Sequence, residues 1–236
     1  MKLAIFGKGS MGRLVSARAQ QEGHEVALVL DSSYAGRSAD ELRDMLRGHD
    51  AAIDFSVGGA VLANVTACVG ASVPLVEGTT GWNSFESDVR RIVTQDDGAL
   101  IYGANFSIGV NLFYGLIARA AELFKGLPDY APFIEEAHHA RKKDAPSGTA
   151  LRLRDLLTPL GVDIPTASTR AGYIPGTHRV GFDSIADQIT LTHTARSREG
   201  FAVGALLAAR WIVGRKGVYE FSETVHEILQ ERTTRT

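Results

Sequence analysis

The chain has 236 residues, of which 44% are hydrophobic, so it is long enough to bury a full core as one large domain or two modest ones. Its net charge of -2, with acidic and basic residues interspersed, argues against binding to nucleic acid or to an anionic membrane surface. The single cysteine, Cys68, excludes an intramolecular disulfide, and no segment reads as a signal peptide or a spanning helix. We therefore expect a soluble cytoplasmic protein whose partner is a small molecule.

A glycine fingerprint opens the chain. The apolar run Leu3 to Phe6 predicts a buried strand, a helical pattern covers Arg13 to Gln21, and the segment between them matches G-x-G-x-x-G. In this order the glycines let the backbone approach a pyrophosphate, and the start of the helix supplies amides and a partial positive charge. The predicted dinucleotide site therefore comprises Gly7, Lys8, Gly9, Ser10, Met11 and Gly12.

Asp31 ends a second predicted strand, His24 to Leu30. Its carboxylate could accept hydrogen bonds from the adenosine ribose hydroxyls, which favours a cofactor without a 2'-phosphate. The alternative interpretation is a solvated acid at a strand end. Because Lys8, Arg13 and Arg37 lie near enough in sequence to tolerate a phosphate, the use of both NADH and NADPH stays open.

Strands and helices alternate through the rest of the first half. The predicted helices are 39–47 and 61–69, and the predicted strands are 51–55, 73–76 and 99–102. Strands separated by helices predict a doubly wound parallel sheet, an α/β Rossmann fold, that binds ligands at the carboxyl ends of its strands. The segments there are small and polar, and although each alone could cap a helix, three at successive strand ends favour a cofactor groove. The groove residues predicted there are Gly78, Thr79, Thr80, Ala104, Asn105, Phe106 and Ser107.

The second half begins with a long predicted helix, Ile108 to Phe124, followed by strand-like segments that predict a mixed or antiparallel sheet in an α+β domain. The predicted strands are 132–137, 166–171, 177–183 and 186–194, and the final elements are a helix at 201–213, a strand at 218–221 and a helix at 222–229. We predict a dinucleotide-binding domain of residues 1–107 plus 201–236, and a substrate-binding and oligomerisation domain of residues 108–200. A one-sided sheet in the second domain favours self-association.

A dense block of titratable residues, 135–150, precedes a helix predicted at 147–157. Two histidines, three basic residues and a Pro-Ser-Gly-Thr turn in so few positions are typical of a site that holds and protonates an anionic small molecule. Because strand residues alternate in direction, only one of His138 and His139 can face a given cleft. Adjacent histidines lack the i, i+4 spacing of the common zinc motif and cysteine ligands are missing, so we predict no metal.

The run from Glu136 to Ala150 closely resembles the signature of the 4-hydroxy-tetrahydrodipicolinate reductase family, also called dihydrodipicolinate reductase, of the diaminopimelate route to lysine. Further matches lie at 7–12, 78–81, 104–107, 109–111, 197–198 and 201–205. The resemblance covers nearly the whole chain, and the histidine block is its most specific part.

The resemblance implies reduction of a cyclic unsaturated dicarboxylate, 4-hydroxy-tetrahydrodipicolinate, to tetrahydrodipicolinate with NADH or NADPH and without a metal. His138 matches the family's proton donor and Lys142 its second catalytic basic residue. The substrate contacts that the resemblance implies are His139, Ser147, Gly148 and Thr149. It also implies a homotetramer.

Two departures from the family pattern and two alternatives remain. Arg141 stands where the family often carries histidine, and Ser32 and Ser33 replace the arginine that often follows the acid in members using NADPH. We therefore predict that NADH serves at least as well as NADPH. The alternatives are another dinucleotide-dependent dehydrogenase, such as an aspartate dehydrogenase, and a non-catalytic NADH-sensing regulator, which the absence of a basic helix pair disfavours. The sequence assigns no role to His178, His193 and Arg198.

Overall fold

The computed structural model describes residues 1–34 and 36–234 and divides the chain into two compact units. The first unit is Met1–Ile108 with Glu199–Thr236, and the second is Gly109–Arg198. The predicted domain borders, after residues 107 and 200, lie within two residues of the borders between these units. Residues 235 and 236 of the predicted first domain fall outside the described residues. What each domain binds stays a prediction.

The first unit is built on a six-stranded sheet. Its strands are β1 (Lys2–Phe6), β2 (Glu25–Leu30), β3 (Ala51–Asp54), β4 (Leu75–Glu77), β5 (Ala99–Tyr102) and β10 (Gly217–Glu220). They lie in the order β10-β5-β4-β3-β1-β2, and every neighbouring pair is parallel. The predicted doubly wound parallel sheet is confirmed.

Helices cover both faces of this sheet, because its central strands are apolar on both sides. The helices on one face are α1 (Ser10–Gln21), α7 (Glu199–Ile212) and α8 (Phe221–Thr234), and those on the other are α2 (Ala39–Leu46), α3 (Val61–Gly70) and α4 (Glu86–Gln95). Alternate strand residues feed the two cores, as when Ile53 joins the first and Ala52 the second.

The second unit contains a four-stranded mixed sheet. Its strands are β6 (Ala131–His138), β7 (Thr166–Arg170), β8 (Thr177–Asp183) and β9 (Gln188–Thr194), in the order β7-β6-β8-β9. β6 pairs in parallel with β7 and antiparallel with β8, and β8 is antiparallel to β9, so the predicted mixed sheet is confirmed. The helices α5 (Ile108–Phe124) and α6 (Gly148–Leu157) supply apolar residues to the core of this unit, including Phe113, Ile117, Leu153 and Leu157.

Several predicted bounds were wrong for local reasons. The strand predicted at 73–76 begins at Leu75, because Pro74 has no amide hydrogen and the amide of Val73 bonds back to the carbonyl of Cys68, at 2.9 Å. Helix α4 was not among the predicted elements, since only Val89 and Val93 of its ten residues are buried and its other faces are polar. Pro146 lies before Ser147, the N-cap of α6, so this helix begins one residue later than predicted. Within the described part of the chain, every helix is too short or too polar to cross a membrane.

Candidate active site

A groove of about 380 Å³ lies in the first unit, at the carboxyl ends of β1, β3 and β4. Its lining residues are Gly9, Ser10, Met11, Phe55, Ser56, Val57, Gly58, Gly78, Thr79 and Thr80. Six of these were predicted as cofactor residues, whereas no residue of the segment 55–58 was. In a doubly wound sheet this edge is where ligands bind.

The backbone around the groove fits a dinucleotide diphosphate. Gly7 has a φ of +94°, which favours glycine, and a Cβ built on Gly12 would lie 1.9 Å from the carbonyl oxygen of Gly7. Gly12 therefore lets α1 pack against the turn. A Cβ built on Gly9 would meet nothing within 4 Å, and Gly9 caps α1 without a side-chain hydrogen bond. The start of α1 thus combines open space with a positive helix end, which suits an anion.

Asp31 follows β2 as predicted and carries an ionised carboxylate. Its Oδ1 accepts hydrogen bonds from the amide of Ser33, at 2.9 Å, and from the hydroxyl of Ser33, at 2.6 Å. These bonds to Ser33 lower the pKa of Asp31. Its Oδ2 lies 3.9 Å from Nζ of Lys8, so the two charges partly neutralise each other. An ionised acceptor at this position suits ribose hydroxyls better than a 2'-phosphate.

The predicted cofactor segment 104–107 contains both exposed and buried residues. The side chain of Phe106 is buried in the core, with its ring centroid 4.6 Å from that of Phe221 and 6.3 Å from that of Phe55. Asn105 accepts a hydrogen bond from the amide of Ser107, at 2.9 Å. Phe106 can therefore present only backbone to a ligand, and contact between this segment and a cofactor stays a prediction.

Glu136 on β6 organises the polar cluster of the second unit. Its Oε1 accepts three hydrogen bonds, from Nη2 of Arg170 at 2.6 Å, from the hydroxyl of Ser168 at 2.7 Å and from the amide of Ser147 at 3.0 Å. Burial opposes ionisation of this carboxyl, but the bonds from Ser147, Arg170 and Ser168 lower its pKa to about 2. A buried negative charge is thus present at neutral pH.

The other oxygen of Glu136 faces two histidines. Oε2 lies 3.1 Å from Nδ1 of His138 and 3.6 Å from Nε2 of His178. The contact with His138 is close but off the hydrogen-bonding direction, so the carboxylate acts on the imidazole through its charge, which favours the protonated ring. His138 shares a strand face with Glu136 because the two are separated by two positions on β6.

His138 ends β6 and is 8% exposed. Burial lowers the pKa of its imidazole, while the charge of Glu136 acts in the opposite direction and raises it. The far side of the ring, Cδ2 and Nε2, lies beside Gly176, where an added Cβ would be 3.3 Å away. His138 is therefore a buried imidazole that is held at Nδ1 by a carboxylate and is uncharged in most molecules at neutral pH.

His178 on β8 contacts the same carboxylate from the neighbouring strand. Burial and the nearby His138 lower the pKa of His178 to about 4, so this ring is neutral. Its Nε2 lies 3.0 Å from Oγ of Ser147, which in turn accepts a hydrogen bond from the amide of Ala150. Ser147 therefore shares a hydrogen bond with the neutral His178 between Oγ and Nε2.

Ser147 is buried at the start of α6, with 2% of its surface exposed, and its amide donates to Glu136. The hydrogen bond from Ser147 to Glu136 therefore joins the start of α6 to the polar cluster. The predicted substrate contact of Ser147 stays a prediction. Gly148 is exposed and Thr149 half-buried at the same helix start, and their contact with a substrate stays a prediction.

Lys142 and His139 lie in the turn that follows β6. The amide of Lys142 donates to the carbonyl of His139, at 3.0 Å, and its Nζ lies 2.9 Å from Oδ1 of Asp144. The guanidinium of Arg170 donates both to Glu136 and to the carbonyl of Asp144, so it joins this loop to the cluster. The catalytic role of Lys142 and the substrate contact of His139 stay predictions.

Glu136, His138 and His178 also have the donor types of a metal site, since one ligand atom from each lies within 4.8 Å of the others. Sequence spacing could not show this set, because Glu136 and His178 are register partners on antiparallel strands. The absence of a metal from the functional protein stays a prediction.

Ser168, Arg170 and His178 are the cluster residues that no sequence motif identified. Ser168 and Arg170 are spaced by two on β7, which puts them on one face, but only the pairing of β7 with β6 shows that this face meets Glu136. His193 lies on β9, where its register partner is His178 of β8. The ring centroid of His193 lies 5.9 Å from that of Phe113. The structure assigns no role to His193 or Arg198.

A doubly wound parallel sheet with a glycine turn between β1 and α1 and a groove at its strand ends defines a dinucleotide-dependent oxidoreductase. Two family models match the chain, dihydrodipicolinate reductase, N-terminus, over residues 1–106 and dihydrodipicolinate reductase, C-terminus, over residues 109–225. The chain belongs to the dihydrodipicolinate reductase family, which uses NAD(P)H.

Individual relatives agree over nearly full length. A 4-hydroxy-tetrahydrodipicolinate reductase of Christiangramia forsetii is 35% identical over 98% of this chain and 100% of its own length, and that of Methanosarcina barkeri is 33% identical over 95% and 99%. A dipicolinate-bound dihydrodipicolinate reductase from Paenisporosarcina sp. TG-14 shares the fold, with a TM-score of 0.78 at 20% identity over 93% of this chain and 97% of that one. These findings favour the reductase over the aspartate dehydrogenase and over the non-catalytic regulator.

Proposed function

We propose that this chain catalyses the reaction of its family, the NAD(P)H-dependent reduction of 4-hydroxy-tetrahydrodipicolinate to tetrahydrodipicolinate in lysine biosynthesis, with His138 as the proton donor. The observation that carries the assignment of the acid is the buried pair of His138 and Glu136, with Nδ1 and Oε2 3.1 Å apart. A carboxylate at Nδ1 fixes the orientation of the ring and stabilises its protonated form, which a general acid requires.

The dinucleotide site supports this role. Bound NADH or NADPH supplies the hydride, and the start of α1 with Gly9, Ser10 and Met11 would hold its diphosphate. Thr79 and Thr80 line the same groove, and the ionised Asp31 suits a ribose without a 2'-phosphate. We therefore propose NADH as a cofactor at least as good as NADPH.

The protonation state of His138 suits a substrate-triggered acid. Its pKa is lowered in the free protein, chiefly by burial. A bound dicarboxylate would bring negative charge next to the ring and raise that pKa, so the imidazole gains its proton when the substrate is present. Once the 4-hydroxyl group has left the substrate as water, hydride adds to the conjugated ring, and the proton passes from His138 to the neighbouring ring carbon that carries the negative charge.

Lys142, His139, Gly148 and Thr149 are proposed to hold the substrate carboxylates. Lys142 is paired only with the half-exposed Asp144, so its charge is not neutralised by a buried partner. Gly148 and Thr149 occupy the first turn of α6, where amides lack partners within the helix and the helix dipole favours an anion.

The test is a coupled assay that follows NADH oxidation with freshly generated substrate. His138→Gln should leave dinucleotide affinity nearly intact and lower turnover by roughly 10²- to 10⁴-fold. Lys142→Ala should raise KM and lower turnover, whereas Lys143→Ala, an exposed neighbour, is the matched control and should do neither. Full activity of His138→Gln would remove its role as acid, and activity on L-aspartate instead would favour the alternative dehydrogenase.

We also propose that the second unit mediates self-association into a homo-oligomer in the cytoplasm. Ile185 and Ile189, in and beside β9, are exposed, with Ile189 at 48% of its full area. Light scattering after size exclusion tests this proposal, and a monomer at micromolar concentration would contradict it.

A further inference from the structure

Two carboxyl groups lie side by side inside the first unit, outside the polar cluster around Glu136. Asp54 ends β3, Glu77 ends β4, and the two are register partners on adjacent parallel strands. Both are 0% exposed. Asp54 and Glu77 directly precede the segments 55–58 and 78–80, which line the groove. The interactions of these two side chains therefore affect the shape of the groove.

Burial raises the pKa of Asp54, but the hydrogen bonds that it accepts act in the opposite direction and suit an ionised carboxylate. Its Oδ1 accepts hydrogen bonds from the amide of Ser56, at 2.7 Å, and from the hydroxyl of Thr79, at 3.1 Å. Its Oδ2 accepts one from Nδ2 of Asn64, at 2.6 Å. Three donors aim at this group, which suits an ionised carboxylate, and its oxygens keep a further acceptor site for a fourth donor.

Glu77 has different surroundings. Its Oε1 accepts a hydrogen bond from the amide of Thr79, at 2.7 Å, but its Oε2 is buried and has no donor among the residues that the structure describes. Burial and the charge of Asp54 raise the pKa of Glu77 well above its usual value. A proton on Oε2 would give this oxygen a partner, because it could then be donated to the neighbouring Asp54.

Within the described part of the chain, the interactions of this pair are with uncharged groups and with each other. Helix α3 contributes Asn64 and the buried Cys68, and β5 contributes Tyr102, the register partner of Glu77. Burial raises the pKa of the Cys68 thiol well above its usual value, and the charge of Asp54 raises it further. Two ionised carboxylates would therefore repel each other at a buried site with neutral neighbours.

We propose that Asp54 and Glu77 share one proton, which Glu77 donates to the Asp54 carboxylate, and that this pair positions Ser56 and Thr79 to receive the dinucleotide. The identity of the ligand in the groove rests on the proposed function. Ser56 and Thr79 are both anchored to the pair, Ser56 through its amide and Thr79 through its amide and its hydroxyl. Asp54 and Glu77 are positioning residues that need not touch the cofactor.

Two isosteric substitutions distinguish the members of the pair. Glu77→Gln keeps an acceptor for the amide of Thr79 and replaces the proposed acid proton with an amide hydrogen, so NADH affinity at pH 7 should stay within about threefold of wild type. Asp54→Asn replaces one carboxylate oxygen with an amide group, which is itself a donor and faces a group that now donates to Asp54. The hydrogen bonds that hold Ser56 and Thr79 are then disrupted, so NADH should bind roughly tenfold or more weakly. Equal effects of the two changes on NADH affinity would overturn the assignment of the proton to Glu77.

The pH dependence gives a second readout that does not need the Asp54 variant to fold. Because the pKa of Glu77 is raised in the folded chain, its contribution to stability is present below its unfolded pKa and is lost as pH rises through the folded one. Wild type should therefore lose stability as pH rises above 4.5, the ordinary value, and should lose NADH affinity as Glu77 ionises, and Glu77→Gln should lose less of both. Parallel pH curves for the two proteins would overturn the proposal.

Infrared difference spectra report the proton directly. The band of a protonated carboxylic acid should be present in wild type at pH 7 and absent in Glu77→Gln, and a wild-type spectrum without it would overturn the shared proton. These spectra and the stability curves need no cofactor. If wild type showed the acid band but bound neither NADH nor NADPH, the proposed function would fail and so would the positioning of Ser56 and Thr79 for a dinucleotide.

Discussion

Replacing Glu136 by glutamine removes a buried charge while keeping the shape of the side chain. The carboxylate has an ordinary pKa of 4.5 and a folded pKa of about 2. At 1.36 kcal/mol per pKa unit, the difference corresponds to about 3 kcal/mol of folding free energy above pH 5. An independent estimate agrees, because removing one partner of a buried ion pair, here with Arg170, costs about 3 to 5 kcal/mol.

The pH dependence of this loss has a definite sign. A lowered folded pKa contributes stability that is complete above the unfolded value and is lost as pH falls through the folded one. The gap between wild type and Glu136→Gln should therefore be about 3 kcal/mol at pH 7 and shrink to about 2 kcal/mol at pH 3.5. Urea unfolding, followed by circular dichroism at each pH, measures this gap.

Glu135→Gln is the matched control for this experiment. Glu135 is the preceding residue on β6 and points to the opposite face, where its half-exposed carboxylate lies 3.0 Å from Nη1 of Arg179. Exposed pairs of this kind contribute about 0 to 1 kcal/mol. If Glu135→Gln and Glu136→Gln lost equal stability, or if the gap for Glu136→Gln did not change with pH, the reasoning about the buried charge would be refuted.

Further predictions concern the glycine turn and the cofactor. Gly12→Ala should lower the free energy of unfolding by roughly 1 to 3 kcal/mol, because its Cβ would lie 1.9 Å from the carbonyl oxygen of Gly7. Gly9→Ala, with open space at its Cβ, should keep the fold and instead weaken dinucleotide binding, and equal unfolding curves for the two variants would contradict this separation. In side-by-side kinetics, kcat/KM with NADH should equal or exceed that with NADPH, and Asp31→Ser should shift the ratio towards NADPH; a clear wild-type preference for NADPH would overturn the role given to Asp31.

The sheet of the first unit could be predicted because each strand is a short apolar run followed by a turn signal. Long helices such as α5 were also predictable, since apolar residues recur at helical spacing. Helix α4 was not, because Val89 and Val93 are its only buried residues and the stretch around them is polar. Its helical state depends on packing against α3 and β10, which no local pattern reports.

The polar cluster was only partly predictable for a related reason. The block around His138 predicted a site, because histidines and basic residues seldom occur so close together in a sequence. The partners of Glu136 come from three other segments, and strand register decides that Arg170 and His178 face it. The amide of Ser147 is a second example, because no local pattern shows that it donates to the buried carboxylate of Glu136.

The way Glu136 joins β6, β7 and α6 divides the block 135–150 into replaceable and irreplaceable positions. Ala140, Arg141 and Lys143 are exposed on the outside of the loop, and no contact of the Glu136 cluster passes through their side chains. Substitution at Arg141, where this chain departs from the family pattern, is therefore free to alter surface charge without moving the acid. A library of variants at these three outer positions should change the salt dependence of activity while Glu136 and His138 keep their positions.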